Sequence, residues 1–293
     1  GYTAGLYAAR AMLEPLMFGG YMSGGQLMLT SDIENFPGYP EGIGGPEMMV
    51  QLREQAERFG LTVEDKNVER VDFSERPFKI YVEGEEFLAK SVIISTGAEA
   101  IWLGAEGEEA QKGRGISVCA TCDGAFFRNE EVMVIGGGDS AMEEATFLTR
   151  FADKVTIINR RDVFRASKVM YDRANANPKI EIIPHRQVTR WLSDEKGLTG
   201  AILEDPRDGS ETEITVTGAF IAIGHKPITA FLDDQIDTDE EGYILHSEHT
   251  MTNVPGVFAA GDVVDTRYRQ AVTAAGMGCQ AAMDAEKWLE EHN

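Results

Sequence analysis

The chain is short of cysteine: Cys119, Cys122 and Cys279 are its whole complement in 293 residues. So low and odd a count, behind an opening "GYTAGLYAARAMLEP" that has no basic stretch followed by an apolar one, argues against a secreted disulfide scaffold. No apolar run approaches the roughly 20 residues of a bilayer-spanning helix, so no membrane role is expected. Positive charge is scarce as well. Twenty-seven Lys and Arg face 49 Asp and Glu, a net charge of -22 and a pI near 4.6. Long-range attraction to nucleic acid or anionic lipid is thereby excluded. The acidic residues are scattered along the chain, as on a solvated surface. A cytoplasmic protein of one large or two medium domains is expected.

What is present has the grammar of an α/β protein. Residues 3 to 13 read as a helix rich in small side chains, and Leu16 to Phe18 as a strand. "GGYMSGGQLMLTSDIENFPGYPEGIGG" is dense in Gly and Pro and long for a connection, so it is expected to bind rather than merely link. Pro46 and the apolar Met49, Leu52, Ala56 and Phe59 mark the next helix, which Gly60 ends. Alternating strands follow in "LTVED", "VERVDF", "FKIYV" and "FLAKSVIIST", the last returning to a buried strand, Val92 to Thr96, that ends in Gly97-Ala98. "VMVIGGGDSAMEEATFLTRFADKVTIINRR" is a βαβ unit, followed by strand candidates at 180–183, 187–192, 199–204 and 212–217 and by "AFIAIG". "GVFAAGD" and a helix from about 270 to 291 repeat the theme. Two Rossmann-like units are expected, three-layered and nested. Segments 1–101 and 229–293 form a discontinuous outer domain, and 102–228 an inner one that carries the Cys-x-x-Cys.

Gly136-Gly137-Gly138-Asp139-Ser140-Ala141 follows an apolar strand and opens a helix. Gly136 makes the turn, Gly138 lets backbone approach a pyrophosphate, and Ala141 keeps helix and strand close. The acidic residue that would grip the ribose hydroxyls of NAD, about 20 positions on, is missing. Asn159 stands there, followed by Arg160, Arg161 and Arg165, whose guanidinium groups suit a 2′-phosphate and favour NADPH. For Cys119 and Cys122, a structural zinc site lacks ligands, because Cys279 lies 157 positions beyond Cys122 and His246 and His249 are too close together. A disulfide across so short a loop would add little chain entropy. A working dithiol remains, with Asp123 placed beside it to move protons. Hydride chemistry then calls for a flavin between nicotinamide and sulfur. Asp262 after a short buried strand, Arg269-Gln270-Ala271 at a helix start, Gln26 and Asn35 are candidate contacts for it. Cys279 reads as a small buried side chain, and no metal site is expected.

Together "CATCDG", "GGGDSA", "RRDVFRA", "GGQL", "ENFPG", "AIGHKP", "GVFAAGDV" and "YRQAVTAAGMGCQAA" resemble the low-molecular-weight thioredoxin reductases, in the family's order and across essentially the whole chain. The resemblance implies electron flow from NADPH to FAD, then to a Cys119–Cys122 disulfide, then to a thioredoxin-like dithiol protein. It implies Cys122 as the thiol beside the flavin, Cys119 as the one that attacks the partner, and Asp123 as the acid–base residue. Gly136, Gly138, Ala141, Arg160, Arg161 and Arg165 would then contact NADPH, and Gln26, Asn35, Asp262, Arg269, Gln270 and Ala271 would contact FAD. A homodimer is implied, as is an inner domain that swivels on hinges near residues 101 and 229. Two departures stand out. Asn159 replaces a family histidine. The sequence also begins at the last glycine of the family's first G-x-G-P-A-G motif: either a start has been trimmed from it or the gene product lacks the preceding strand, and in the second case an opened core and weakened FAD binding are expected. The alternative reading is a flavin-free NADP(H)-binding protein with a different activity or a sensing role.

Overall fold

The computed structural model describes residues 1–30 and 32–292. Its contacts divide the chain into two units, Gly1–Glu99 with Lys226–Asn293 and Ala100–His225. The first unit begins with α1 (Tyr2–Arg10), β1 (Leu16–Phe18) and α2 (Gly45–Arg58). It continues through β2 (Thr62–Glu64), β3 (Val68–Asp72), β4 (Phe78–Val82), β5 (Glu85–Ala89) and β6 (Val92–Ile94), and the chain leaves along β7 (Ala98–Ala100). The second holds α3 (Glu108–Gln111), β8 (Ile116–Ser117), α4 (Ala120–Asp123), β9 (Glu131–Ile135), α5 (Asp139–Leu148), β10 (Lys154–Asn159) and α6 (Lys168–Asn175). Five strands follow: β11 (Ile180–Pro184), β12 (Gln187–Asp194), β13 (Gly197–Glu204), β14 (Glu211–Thr215) and β15 (Gly218–Ile221). The chain returns along β16 (His225–Pro227) to β17 (Val257–Ala259) and α7 (Ala271–His292).

The expected α/β class is what these elements build. In the second unit β11, β10, β9, β15 and β8 form one parallel sheet in that order. Period-two alternation along β9 feeds both faces. Val132 and Val134 pack with Met142, Ala145 and Leu148 of α5, whereas Met133 and Ile135 pack with Trp191, Ala201 and Leu203 of an antiparallel sheet, β12-β13-β14. Three layers result: helices, parallel sheet, antiparallel sheet. Each fully buried aliphatic side chain contributes about 1.5–3 kcal/mol.

In the first unit β6 pairs in parallel with β17, and β1 with β2. Among the described residues these two pairs are not hydrogen-bonded into one sheet. Gly1 lies between them, where a Cβ would stand 3.1 Å from Ser95 Oγ and 3.2 Å from Met17 Cε. The antiparallel sheet β3-β4-β5 covers Ile94, Val257 and Ala259. Small residues let α1 lie close on α7: a Cβ at Gly278 would stand 3.2 Å from Ala4 N.

Four expectations need correction. The buried strand expected at Val92–Thr96 is shorter, Val92–Ile94; the chain leaves the antiparallel sheet after Ala89 and enters the parallel pair at Val92, where Ser91 Oγ donates to Gly256 O. The first helix ends at Arg10 rather than residue 13, since Met12 and Glu14 take left-handed conformations. The Gly-rich loop contains a short 3-10 turn, Gly25–Leu29. Cys279 is half-buried rather than buried, with Sγ 3.9 Å from Met283 Sδ. No helix among the described residues is long and apolar enough to cross a membrane.

Candidate active site

Cys119 and Cys122 are joined in a disulfide with Cα atoms 5.3 Å apart. Strand β8 delivers the pair and α4 carries it, so the second cysteine returns beside the first within one turn. The loop is anchored on its far side. Gly124 is buried against Leu148 and Phe147, and Phe127 packs edge-on against Phe220 with ring centroids 5.4 Å apart. Both cysteines remain half-buried, which leaves the sulfurs reachable. Ser117, at the end of β8, donates its hydroxyl to Asp123 Oδ2 at 2.5 Å and accepts the amide of Cys119 at 3.0 Å. Burial pushes the Asp123 carboxyl above the ordinary carboxylate range, and the Ser117 hydrogen bond opposes that rise.

The glycine turn leads from β9 into α5. Gly136 has φ +154° and sits so close to the neighbouring strand that a Cβ would stand 2.3 Å from Ala222 O, so no other residue fits. Ala141 is fully buried against the strand. Gly138 precedes α5 without a side-chain cap, and a Cβ there would meet nothing within 4 Å. The front of this helix thus has free amides and open room, the combination that receives a phosphate.

Arg160, Arg161 and Arg165 are exposed, and none pairs with a carboxylate among the described residues. The segment that bears them is folded back onto the turn. Arg165 N and Ala166 N both donate to Gly137 O, at 2.7 and 3.0 Å. Asn159 Nδ2 donates to Arg161 O at 2.8 Å and to Val163 O at 3.4 Å. In a chain of net charge -22, three unneutralised guanidinium groups beside a helix N-terminus form a ready cradle for an extra phosphate.

The remaining candidates lie in the first unit. Gly261, with φ +83°, turns the chain after β17 and places Asp262 half-buried. Asp265 accepts the amides of Arg267, Tyr268 and Arg269 at 2.9, 2.8 and 3.0 Å, which shapes the approach to α7. Arg269 takes a left-handed conformation, φ +48°, and donates from Nη2 to Tyr243 Oη at 3.1 Å. Asn35 Nδ2 donates to Gln270 Oε1 at 3.3 Å. Ala271, the first residue of α7, packs against the cluster of Ile33, Ile43 and Met48, and so does Leu27 of the turn that carries Gln26. Asp262 Oδ1 and Arg269 Nε are buried without a hydrogen-bond partner. Burial raises the Asp262 carboxyl to about 6, the Asp265 charge adds to the rise, and Arg269 opposes it. A buried acceptor and a buried donor, both unmet at one turn, fit a ligand rich in hydroxyl and carbonyl groups such as a flavin with its ribityl chain.

The candidates therefore gather in three places: the disulfide and Asp123, the glycine turn with its arginines, and the turn before α7 with Gln26 and Asn35. Sequence reasoning missed Ser117, Asp265 and Tyr243. An aspartate ahead of a loop is a turn signal that could have pointed to Asp265. Nothing in local spacing marks Ser117 or Tyr243.

The family model for pyridine nucleotide-disulphide oxidoreductases matches residues 1–278. A thioredoxin reductase of Mycolicibacterium smegmatis is 53% identical over 295 residues, covering 100% of this chain and 94% of the relative. Thioredoxin reductase 2 of Arabidopsis thaliana is 52% identical over 304 residues, covering 99% of this chain and 79% of the relative. The solved structure of a thioredoxin reductase from Giardia duodenalis superposes with a TM-score of 0.95 at 44% identity, covering 99% of this chain and 95% of that one.

Proposed function

The chain belongs to the pyridine nucleotide-disulphide oxidoreductase family, on its thioredoxin reductase branch, and from that premise we propose that it transfers two electrons from NADPH through FAD to the disulfide of a thioredoxin-like protein. The overall change is NADPH, a proton and a protein disulfide giving NADP⁺ and a protein dithiol. Action in the cytoplasm and as a homodimer belongs to the same proposal.

The observation that carries it is the Cys119–Cys122 disulfide with Asp123 held beside it, in the unit that also bears the glycine turn and its arginines. In this reading Gly136 and Gly138 admit the pyrophosphate to the front of α5, and Ala141 lets helix and strand approach. Arg160, Arg161 and Arg165 grip the 2′-phosphate. Asp262 and Arg269 would hold FAD through the unmet Oδ1 and the buried Nε, and Gln26, Asn35, Gln270 and Ala271 would help to hold it. FAD, when bound, supplies the two-electron relay between nicotinamide and sulfur. The reduced Cys119 thiolate attacks the partner disulfide, Cys122 closes back onto Cys119, and Asp123 holds the proton that the leaving thiolate takes.

The test is an anaerobic titration of the purified, FAD-supplemented chain with NADPH, followed by addition of an oxidised thioredoxin. Bleaching of the yellow colour and its return on adding the disulfide protein are expected. A chain that binds NADPH yet takes up no FAD would overturn the proposal in favour of the flavin-free reading.

A further inference from the structure

Asp123 has a partner that fixes where its carboxyl points. Ser117 is 7% exposed, one of few buried polar side chains, and it closes a chain of hydrogen bonds from the Cys119 amide through its hydroxyl to the Asp123 carboxylate. The amide brings the only proton to the first contact, so the hydroxyl accepts there; with Asp123 ionised, its own proton goes to the carboxylate at 2.5 Å rather than to Cys119 O at 3.5 Å. Such chains polarise one another, and the end that gains most is the charged acceptor. The charged groups on elements packed against this one are Asp139, Glu143 and Glu144 of α5; β8 and the 3-10 turn Gly124–Phe127 carry none. Within its unit, Ser117 is the group that favours the ionised carboxylate, against burial that disfavours it.

We infer that Ser117 is a positioning residue for the redox pair: it holds the Asp123 carboxyl and the Cys119 backbone on one hydroxyl, and through that hydrogen bond it decides over which pH range the carboxyl carries a proton for the departing sulfur. The inference rests on the reading of Asp123 as the pair's acid–base group. The step it governs balances without any cofactor. When dithiothreitol reduces the pair, one of its thiolates attacks Cys119 Sγ, the Cys119–Cys122 bond breaks, and a mixed disulfide forms. Cys122 leaves as thiolate and takes the proton held on Asp123, which water then replaces. The second dithiothreitol thiol closes its ring and releases Cys119, so two electrons and two protons have passed to the protein.

The experiment follows that reduction in the full chain as purified, as a function of pH, counting alkylated Cys119 and Cys122 by mass spectrometry. The variants are Ser117→Ala, Ser117→Thr and Asp123→Asn. Dividing each rate by the wild-type rate cancels the ionisation of dithiothreitol itself. With Ser117→Ala the carboxyl loses the hydrogen bond that favours its charge and stays protonated to higher pH. The pH at which acid assistance is lost therefore moves up, and between the two inflections the variant is reduced faster than wild type, by roughly tenfold, the factor one charge-assisted hydrogen bond supplies. Ser117→Thr keeps the hydroxyl and restores the wild-type profile, and Asp123→Asn abolishes the inflection whether or not Ser117 is present. A rate lowered by one factor at every pH, or an unmoved inflection in Ser117→Ala, would overturn the inference and leave Ser117 as packing. Failure to take up FAD would sink the proposed function while leaving this profile intact, so the two ideas fail separately.

Discussion

Asn159 occupies the position where NAD-binding folds of this kind carry an acid, and it acts here as a clamp. Its Nδ2 donates to Arg161 O at 2.8 Å and to Val163 O at 3.4 Å, and a Cβ at Gly137 would stand 2.7 Å from its Oδ1. Replacement by aspartate removes both donors while keeping shape and volume. Loss of the shorter hydrogen bond costs about 1 kcal/mol, and the longer one adds little. The new carboxylate faces backbone carbonyls and stands in the segment that, under the proposed function, grips the 2′-phosphate. At roughly 4 to 5 Å in a solvated setting, its repulsion of a 2′-phosphate adds about 1 kcal/mol. The sum, about 2 kcal/mol, corresponds to a rise of about 30-fold in KM for NADPH. NADH, which lacks that phosphate, feels only the loosened loop and gains an acceptor for its ribose hydroxyls, so its KM should change less than about threefold. Steady-state kinetics with both nucleotides, supported by calorimetric binding of 2′,5′-ADP to the full chain, measures the difference. Equal factors for NADPH and NADH would refute the view that Asn159 sets the arginine segment for phosphate.

The proposed relay makes Cys119→Ser and Cys122→Ser lose disulfide reduction while keeping NADPH-driven bleaching of the flavin; loss of bleaching in both would contradict the roles assigned to the sulfurs. Because burial holds the Asp262 carboxyl near 6, against 3.8 for the ordinary group, the fold binds that proton more tightly than the unfolded chain does. The associated stability is present below about 4 and lost as pH rises through about 6, on the order of 3 kcal/mol. Thermal melting of the flavin-free chain across that range should show the decline, and Asp262→Asn should flatten it. Leu148→Ala opens a cavity in the fully buried contact between α5 and the parallel sheet and should cost about 2–5 kcal/mol in urea unfolding, without moving KM for NADPH.

Much of the fold was legible because its strands are bounded by glycine turns and alternate cleanly. Leu16–Phe18 and the strands at 180–184 and 197–204 fall within two residues of their expected limits. Where the reading slipped, the deciding interaction was remote. The strand expected at Val92–Thr96 ends at Ile94, because its length is set by its pairing with Val257–Ala259, just as Phe87–Ala89 ahead of it is set by pairing with Phe78–Ile80, partners that local propensity does not encode. Met12 closes α1 in a left-handed conformation, with Met12 N donating to Ala9 O at 3.0 Å and Leu13 N to Ala8 O at 3.1 Å, and Pro15 follows; a methionine at that cap position carries no stop signal, so the end of α1 reads two or three residues late in the sequence.

The candidate site divides along the same line. Motif glycines, the paired cysteines and the arginine cluster announce themselves because their chemistry requires a residue type at a fixed spacing. Supporting residues do so only through geometry. Ser117 lies six positions before Asp123, and the two meet because a two-residue strand hands over at once to a single helical turn. Tyr243 reaches Arg269 across 26 positions and is itself almost wholly buried, so its hydroxyl is the one visible reason for a tyrosine there. The turn before α7 is more telling still. A chain that satisfied only itself would not leave Asp262 Oδ1 and Arg269 Nε both buried and both unmet, since each such atom costs about 1–3 kcal/mol. That stored cost is recovered when a ligand supplies a donor to one and an acceptor to the other. Under the proposed function the same two atoms lower the stability of the empty fold and would raise its affinity for the flavin.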